Sequence, residues 1–358
     1  SFGFGGSNFH VTLEEYTGPL AVQPDRVLSA ELVMLSADTP EALALAVDDT
    51  ARRLVHEEDL AIAASDSHAA FAADAQCRAA ITASSNQDFA AKSGKLAALV
   101  RAGTVDGVPL PKGVSVSLTP AKPGKLAFLM PGQGSQYVGM GRELTCIFPE
   151  AREAIAQADE DAIASSAARP SDRIFPHPVF DERARAEQQA ALTRTDVAQP
   201  ALGAVSLAML RVLQRFGVCP DCTAGHSYGE LVALRAADRI DDDGLRRLSR
   251  LRGRLMAEGT GDPGTMVAVQ APLRELDRML ADEGIDVELA NRNSPSQGAL
   301  SGTRDAIDRA VRACTSRGWR TTPLQVAAGF HSTLMVDAGA RFRQALDDVA
   351  FSGGSRPV

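Results

Sequence analysis

Residues 225–230 read Gly-His-Ser-Tyr-Gly-Glu, and they follow a short run around residues 221–225 that we predict to be a buried β-strand. A helix is predicted to begin at Ser227. A serine between two glycines at a strand-to-helix turn is typical of a nucleophile elbow, in which the glycines relieve crowding around a strained serine whose hydroxyl projects outward. The first N–H groups of the helix would face charge that develops beside that hydroxyl. The alternative is an ordinary glycine-rich turn with Ser227 as helix cap. The apolar strand before the turn and the helical pattern after it favour the elbow.

An activated serine needs a base, and the chain has six histidines, at positions 10, 56, 68, 177, 226 and 331. His226 is adjacent to Ser227, but neighbouring side chains at such a turn generally diverge, which favours a structural role. His331 is the better candidate, because it follows the last predicted strand of an inserted module, where the chain re-enters the main body. A structural histidine is the alternative at this position.

A second glycine-containing turn, Pro-Gly-Gln-Gly-Ser-Gln at residues 131–136, follows an apolar strand predicted at 126–130 and expected to be buried. Two glycines let the backbone approach a ligand closely, so the amide of Gln133 is a candidate oxyanion donor together with the amide of Tyr228. A phosphate-binding loop is the rival interpretation, but the Gly-Lys-Ser/Thr ending of such a loop is missing.

The order of predicted elements indicates an α/β fold built from several parts. Residues 21–123 form a small α/β domain that ends in a proline-rich linker at 107–123. Residues 124–265 and 326–358 alternate strands and helices, as in a doubly wound parallel-sheet body of the α/β-hydrolase kind. Residues 266–325 follow the order βαββαβ, which is the split arrangement of a ferredoxin-like subdomain inserted into that body.

Composition narrows the function classes. The chain has 358 residues, 45% of them hydrophobic, and a net charge of -8, which argues against nucleic-acid binding. No apolar run approaches the roughly 20 residues that cross a bilayer, so we expect no membrane contact. The five cysteines are scattered, and the Cys-x-x-Cys pair at 219–222 has no second pair or histidine cluster near it. We therefore expect no metal site and a reducing, cytoplasmic setting.

Five motifs together resemble the malonyl-CoA:acyl carrier protein transacylase family. They are Gly-Gln-Gly-Ser-Gln at 132–136, Gly-His-Ser-Tyr-Gly-Glu at 225–230, Arg-Gly at 252–253, Asn-Ser-Pro-Ser-Gln at 293–297 and Gly-Phe-His-Ser at 329–332. Residues 1–11 also resemble the last strand region of a ketosynthase and carry neither an initiator Met nor a basic signal region. Residues 1–20 are thus expected to be a ketosynthase remnant, cut inside a longer polypeptide, and residues 21–123 the linker to an acyltransferase, the order found in type I polyketide synthases. Tyr228 and the Ala- and Arg-rich composition are compatible with an iterative bacterial synthase of the enediyne type.

The resemblance implies a role for each matching residue. Ser227 would be the nucleophile and His331 its base, oriented mainly by a backbone carbonyl, with the Gln133 and Tyr228 amides holding the oxyanion. Arg252 would grip the free carboxylate of the incoming acyl group, because a guanidinium offers a planar fork and stays charged when desolvated. The alternative is a solvated helix arginine, one of several in residues 246–252. Asn293, Gln297 and His226 would complete the substrate-binding residues.

Residues 328–331 read Ala-Gly-Phe-His, which differs from both patterns of the family. Malonyl-selective members often have His-Ala-Phe-His, and methylmalonyl-selective members Tyr-Ala-Ser-His. Phe330 should crowd an α-methyl group, whereas Gly329 is expected to leave extra room. A methyl group is worth only about 1–3 kcal/mol in an apolar pocket, so we expect a preference for malonyl without exclusion.

The resemblance therefore implies transfer of malonyl from malonyl-CoA, through an acyl-serine, to the phosphopantetheine of an acyl carrier protein. No tightly bound cofactor is expected, and the partners would be the carrier protein, the ketosynthase and other domains of the same polypeptide. The family usually continues beyond the position of Val358, so truncation at the C-terminus is expected. Two other interpretations stay open, a serine hydrolase or thioesterase with the same elbow, and a non-catalytic docking fragment of a synthase.

Overall fold

The computed structural model describes residues 12, 14, 29–55, 59–120, 124–258, 263–324, 326, 328–354 and 356–358. The chain divides into two compact units, residues 1–123 and 124–358. The segment 1–20, assigned to a ketosynthase remnant, lies almost wholly outside the described residues. In both units helices pack against β-sheets, so the fold is α/β.

The first unit is an antiparallel sheet covered by helices. Its elements are β1 (Glu31–Ala37), α1 (Pro40–Val55), α2 (Leu60–Ala70), β2 (Cys77–Ala83), α3 (Asn86–Ala102) and β3 (Val114–Ser117), with strand order β1-β2-β3. Helix α1 begins with Pro40 in its first turn, and the Thr39 hydroxyl accepts a hydrogen bond from the amide of Ala42 at 3.2 Å. The core between sheet and helices contains the fully buried Val33, Ile81 and Phe89.

Strand β3 corrects the expectation that residues 107–123 are only a linker. Val114 pairs with Ile81 and Ser117 with Arg78, so the segment forms the third strand of the sheet. The prolines around it favour a linker, but the alternation Val-Ser-Val-Ser over residues 114–117 has the period of a strand with one buried face. Val114 is indeed buried against the core.

The second unit begins with a helix-rich body. Its elements are β4 (Ala127–Met130), α4 (Arg142–Ile147), α5 (Pro149–Ala164), α6 (Pro170–Ile174), α7 (Glu182–Thr193), α8 (Thr195–Arg215), β5 (Cys222–Gly225), α9 (Gly229–Ala236) and α10 (Asp242–Ala257). Strands β4 and β5 are parallel, with Met130 opposite Gly225. Among the described residues the parallel sheet of this body has these two strands, and helices make up most of the rest.

The expectation that β4 is fully buried is wrong. Leu129, in the middle of the strand, is 76% exposed, and Leu126 before it is 42% exposed. An apolar run indicates burial on both faces only when other elements cover both faces. Here β5 pairs with β4 along one edge, and the side chain of Leu129 meets solvent.

Helix α8 forms the centre of the body and packs against α5 and α10. It is the one helix in the described part of the chain that is long and apolar enough to cross a bilayer. Most of that helix is buried, with Leu207 fully inside the protein, as is typical of a core helix. Leu245 and Leu248 of α10 are fully buried in the same body.

A four-stranded antiparallel sheet follows. Its elements are β6 (Thr265–Gln270), α11 (Leu273–Asp282), β7 (Glu288–Ser294), β8 (Gln297–Gly302), α12 (Arg304–Ser316) and β9 (Arg320–Pro323), with strand order β7-β8-β6-β9. Both helices pack on one side, around a core that includes Val267, Leu276 and Leu300. On the other side Met266 and Ala299 pack with Phe330, in the segment that leads to the last helix, α13 (Val336–Leu346).

Candidate active site

The turn after β5 has the strained geometry of a nucleophile elbow. Ser227 has φ of 54°, in the left-handed region that non-glycine residues rarely adopt. A Cβ at Gly225 would lie 2.3 Å from the backbone of Gly229, and a Cβ at Gly229 would lie 2.2 Å from the carbonyl oxygen of Met130. Both positions therefore require glycine, which is the crowding that the sequence pattern predicts.

The structure brings Ser227 and His331 into hydrogen-bond contact. The Oγ atom of Ser227 lies 2.8 Å from Nε2 of His331. In the tautomer with its proton on Nδ1, the imidazole accepts the serine proton at Nε2, which is the geometry of a nucleophile and its general base. The segment before the histidine is anchored, because the amide of Gly329 donates to the carbonyl of Pro263 at 2.7 Å.

The electrostatic surroundings keep the imidazole in its basic form. Burial and then the positive charge of Arg252 lower the pKa of His331, His226 acts in the same direction, and Glu230 opposes them. A lowered pKa means that the ring is neutral at pH 7, and only the neutral ring accepts a proton.

Arg252 contributes a buried donor to the same site. Its Nη1 atom is buried and has no hydrogen-bond partner among the residues that the structure describes. An unpaired buried guanidinium N–H is costly, so the geometry favours an anionic ligand at this point. Burial also lowers the pKa of Arg252, although a guanidinium remains charged at neutral pH.

Neighbouring arginines on α10 behave differently. Arg246 and Arg250 both donate to the carboxylate of Asp161, at 2.7 and 2.6 Å. Arg247 pairs with Asp348 at 3.2 Å. These side chains hold α10 to other parts of the body, whereas Arg252 points its unpaired nitrogen inward. The interpretation of Arg252 as one more solvated helix arginine does not fit this difference.

A cavity of about 290 Å³ joins these groups. Ser227, His331 and Arg252 line it, and so do the other side chains expected at the site, Gln133, His226, Asn293, Gln297 and Phe330. Met256 of α10 and Met266 and Ala299 of the antiparallel sheet form part of its apolar wall. The cavity therefore lies between the helical body and the four-stranded sheet.

Gly329 is an expected substrate-binding residue that does not line this cavity. A Cβ there would lie 3.1 Å from the hydroxyl oxygen of Ser301 and 3.1 Å from Leu334, which do not line the cavity. The expectation that Gly329 leaves extra room in the pocket is therefore wrong. Glycine is present here because the segment before His331 packs closely on β8.

The backbone around Gln133 passes directly beside the nucleophile. A Cβ at Gly132 would lie 2.6 Å from the carbonyl of His226 and 3.4 Å from the Cβ of Ser227. Within the described parts of the chain, neither the amide of Gln133 nor that of Tyr228 donates a hydrogen bond to a protein acceptor. Two free N–H groups beside a serine are what an oxyanion hole requires.

Gln199 of α8 supports the Gln133 loop of this site, and no sequence motif predicts that role. It is fully buried, its Nε2 donates to Oε1 of Gln133 at 3.3 Å, and Nε2 of Gln133 donates to the hydroxyl of Thr195 at 3.2 Å. These bonds hold the Gln133 loop against α8. The sequence feature that could have indicated Gln199 is an amide side chain within the apolar run of α8.

The described side chains include no group of three or more His, Cys, Asp and Glu residues positioned to hold a metal ion.

Comparison with known proteins adds a family to this geometry. The family model described as acyl transferase domain matches residues 127–355. A Bacillus subtilis (strain 168) protein named malonyl CoA-acyl carrier protein transacylase is 36% identical over 240 residues, which cover 65% of this chain and 71% of that protein. The spectinabilin polyketide synthase system protein NorA' of Streptomyces orinoci is 30% identical over 368 residues, which cover 100% of this chain but 9% of that much longer protein.

Solved structures agree with the fold. The acyltransferase domain from module 8 of the salinomycin polyketide synthase matches with a TM-score of 0.72 and 25% identity, covering 92% of this chain and 74% of that one. The acyltransferase domain of an iterative polyketide synthase in enediyne biosynthesis matches with a TM-score of 0.66, 25% identity and the same coverage. With a serine, a histidine and an arginine assembled in one cavity and a family model across most of the chain, this protein belongs to the acyl transferase domain family and is an acyltransferase.

Proposed function

We propose that this chain transfers a malonyl group from coenzyme A to the phosphopantetheine thiol of an acyl carrier protein, through an ester on Ser227. One observation carries the choice of substrate: Arg252, whose Nη1 is buried and has no hydrogen-bond partner in the described part of the chain, lines the cavity that holds the Ser227–His331 hydrogen bond. A guanidinium in that place favours an acyl group that ends in a carboxylate.

The first half-reaction loads the serine. His331 takes the hydroxyl proton of Ser227 as Oγ bonds to the thioester carbonyl carbon, and the oxyanion accepts hydrogen bonds from the Gln133 and Tyr228 amides. The carbon–sulfur bond then breaks, and His331 returns the proton to the sulfur of coenzyme A. The products are a malonyl ester and a free thiol.

The second half-reaction runs the same steps with the carrier protein. His331 takes the proton of the phosphopantetheine thiol as the sulfur attacks the ester carbonyl, and the same amides hold the oxyanion. Ser227 leaves and recovers its proton, so the enzyme returns to its starting state. The two products leave one after the other, which is ping-pong behaviour.

Arg252 has two effects in this scheme. Its fork binds the carboxylate in both half-reactions, so acetyl groups should be poor substrates. It also holds the acyl group in one orientation, which disfavours attack by water. The serine hydrolase interpretation accounts for the elbow and the histidine but does not explain the buried guanidinium of Arg252. The docking-fragment interpretation does not explain the hydrogen bond between Ser227 and His331.

The finer architecture is part of the proposal. The sheet order β7-β8-β6-β9, with α11 and α12 on one side, supports a ferredoxin-like subdomain at residues 266–325. The strand–turn–helix at Ser227 supports an α/β-hydrolase-like body formed by 124–265 and 326–358. The match of the whole chain to one part of a longer synthase supports a linker at 21–123, a ketosynthase segment at 1–20 and partner domains in one cytoplasmic polypeptide.

Mass spectrometry of the intact protein tests the proposal. The chain is incubated with equal amounts of malonyl-, methylmalonyl- and acetyl-CoA, and the mass gained identifies the acyl group. We expect addition of one malonyl group in the parent and none in Ser227→Ala. Acylation that persists in Ser227→Ala, or equal acetyl and malonyl labelling in the parent, would contradict the proposal.

A further inference from the structure

The side chain of Tyr228 connects the nucleophile turn to α10. Tyr228 is fully buried, and its hydroxyl oxygen lies 2.7 Å from Oγ of Ser249. Ser249 in turn donates to the carbonyl of Leu245 at 2.6 Å. Because a serine hydroxyl has a single proton, Tyr228 is the donor and Ser249 the acceptor in the first of these bonds. The result is a directed chain from Tyr228 through Ser249 to the backbone of α10.

The space around this hydroxyl is shared with a third residue. A Cβ at Gly203 of α8 would lie 2.4 Å from the Tyr228 hydroxyl oxygen and 3.0 Å from Oγ of Ser249. Only glycine at position 203 therefore leaves room for the tyrosine. Three elements meet at this point: α8 through Gly203, α10 through Ser249, and the start of α9 through Tyr228.

The chain of hydrogen bonds links the nucleophile turn to the helix that carries Arg252. Tyr228 is the residue after Ser227. Arg252 lies one turn after Ser249 on α10, so the side chains of Ser249 and Arg252 project from the same side of that helix. Tyr228 is not among the residues that line the cavity, and its side chain is fully buried, so its hydroxyl does not open into the cavity. Its hydroxyl acts on the site through the positions of other residues.

We propose that the Tyr228 hydroxyl is a positioning group that sets the placement of Arg252 relative to Ser227, and thereby the selectivity for acyl groups with a free carboxylate. This inference rests on the proposed function, because it assigns to Arg252 the binding of that carboxylate. Burial raises the pKa of Tyr228, so the hydroxyl keeps its proton and remains a donor across the working pH range.

The test compares kcat/KM for malonyl-CoA and acetyl-CoA in the parent, Tyr228→Phe, Ser249→Ala and the double variant. We expect kcat/KM for malonyl-CoA to fall about tenfold in Tyr228→Phe, mainly through a higher KM, and that for acetyl-CoA to change less than about twofold, as for one lost hydrogen bond to a positioned charge. The double variant should match Tyr228→Phe, because the two residues act through one bond. Tyr137→Phe removes the hydroxyl of an exposed tyrosine and is the matched control.

A second pair of variants tests the geometry itself. Gly203→Ala places a Cβ against the Tyr228 hydroxyl, so we expect a clear drop in melting temperature. Adding Tyr228→Phe makes room for the Cβ and should recover most of that drop, while selectivity stays as low as in Tyr228→Phe alone.

The outcomes distinguish a failure of the positioning role of Tyr228 from a failure of the proposed function. A parent that does not prefer malonyl-CoA to acetyl-CoA overturns the proposed function. A parent with that preference, unchanged in Tyr228→Phe, overturns the positioning role alone. An equal loss with both substrates, parallel to a lower melting temperature, also overturns it, since a purely structural tyrosine would behave in that way.

Discussion

Ser227 and His331 lie 104 positions apart in the chain, yet the serine hydroxyl and Nε2 of the imidazole are 2.8 Å apart, and both residues have a left-handed backbone, with φ of 54° and 58°. Such conformations are held only where the surrounding structure determines them. The turn after β5 imposes one, and the segment packed on β8 imposes the other.

The pH dependence of acylation should show the lowered pKa of His331. The reaction needs the neutral imidazole, so the rate should fall as pH decreases through an apparent pKa below 6.5, the ordinary value for histidine. Stopped-flow acylation by acetyl-CoA between pH 4.5 and 8 measures it. A midpoint above the ordinary value would contradict the electrostatic assignment.

Two substitutions should move that midpoint in opposite directions. Arg252→Ala removes a positive charge that lowers the pKa of His331, so the midpoint should rise. Glu230→Gln removes a negative charge that raises it, so the midpoint should fall. Because acetyl-CoA has no carboxylate for Arg252 to bind, it reports on the histidine in both variants. Shifts of the same sign in the two variants would show that these charges do not govern the base.

Arg252→Ala should also remove the preference for carboxylate donors. We expect kcat/KM for malonyl-CoA to fall about a hundredfold, as for the loss of a charge-assisted bidentate contact, with little change for acetyl-CoA. The matched control is Arg250→Ala, which lies on the same helix as Arg252 and loses its pair with Asp161 of α5. That control should lower the melting temperature and leave the ratio of the two substrates as it is in the parent.

Phe330, and not Gly329, should govern acceptance of an α-methyl group. Phe330 lines the cavity, so Phe330→Ala should raise kcat/KM for methylmalonyl-CoA relative to malonyl-CoA by about tenfold, the scale of one methyl group in an apolar pocket. Gly329→Ala should instead slow both substrates together, because its Cβ presses on Ser301 and Leu334 and displaces His331. Competition between the two donors, followed by mass spectrometry, measures the ratio.

The glycines of the elbow should be irreplaceable for stability. Gly225→Ala forces a Cβ into the backbone of Gly229, and we expect it to reduce the free energy of unfolding by about 3 kcal/mol. Gly94→Ala, in the middle of α3, meets no atom within 4 Å and should raise stability by up to about 1 kcal/mol, because alanine favours the helix. Urea unfolding of both variants gives the comparison, and a Gly225→Ala variant as stable as the parent would contradict the crowding.

Local patterns predicted those parts of the structure that depend on neighbouring residues. The strand before Ser227 and the βαββαβ order of residues 266–325 follow from local apolar patterns, and the structure has both. Strand β3 was missed because proline signals outweighed a short alternating run. The exposure of Leu129 was missed because burial depends on which elements cover a strand, and no local pattern contains that information.

The residues of the site also fall into those that local patterns predict and those that depend on distant contacts. Motifs led to Ser227, His331 and Arg252, whose roles depend on residue type and spacing. Gln199 and the side chain of Tyr228 act through contacts between helices far apart in sequence, and such contacts leave no local pattern. The same applies to Gly329, whose neighbour Ser301 belongs to another strand.

Because Ser227 and His331 have a left-handed backbone, the residues that give activity also lower the stability of the fold. Glycine tolerates such a conformation without steric cost, so Ser227→Gly and His331→Gly should each give a more durable but inert protein. Selection for thermal stability alone would therefore favour glycine at positions 227 and 331, and the protein would lose its activity. A relative that has lost its reaction would be expected to drift towards glycine there, and a glycine at either position would mark a silent domain within a synthase.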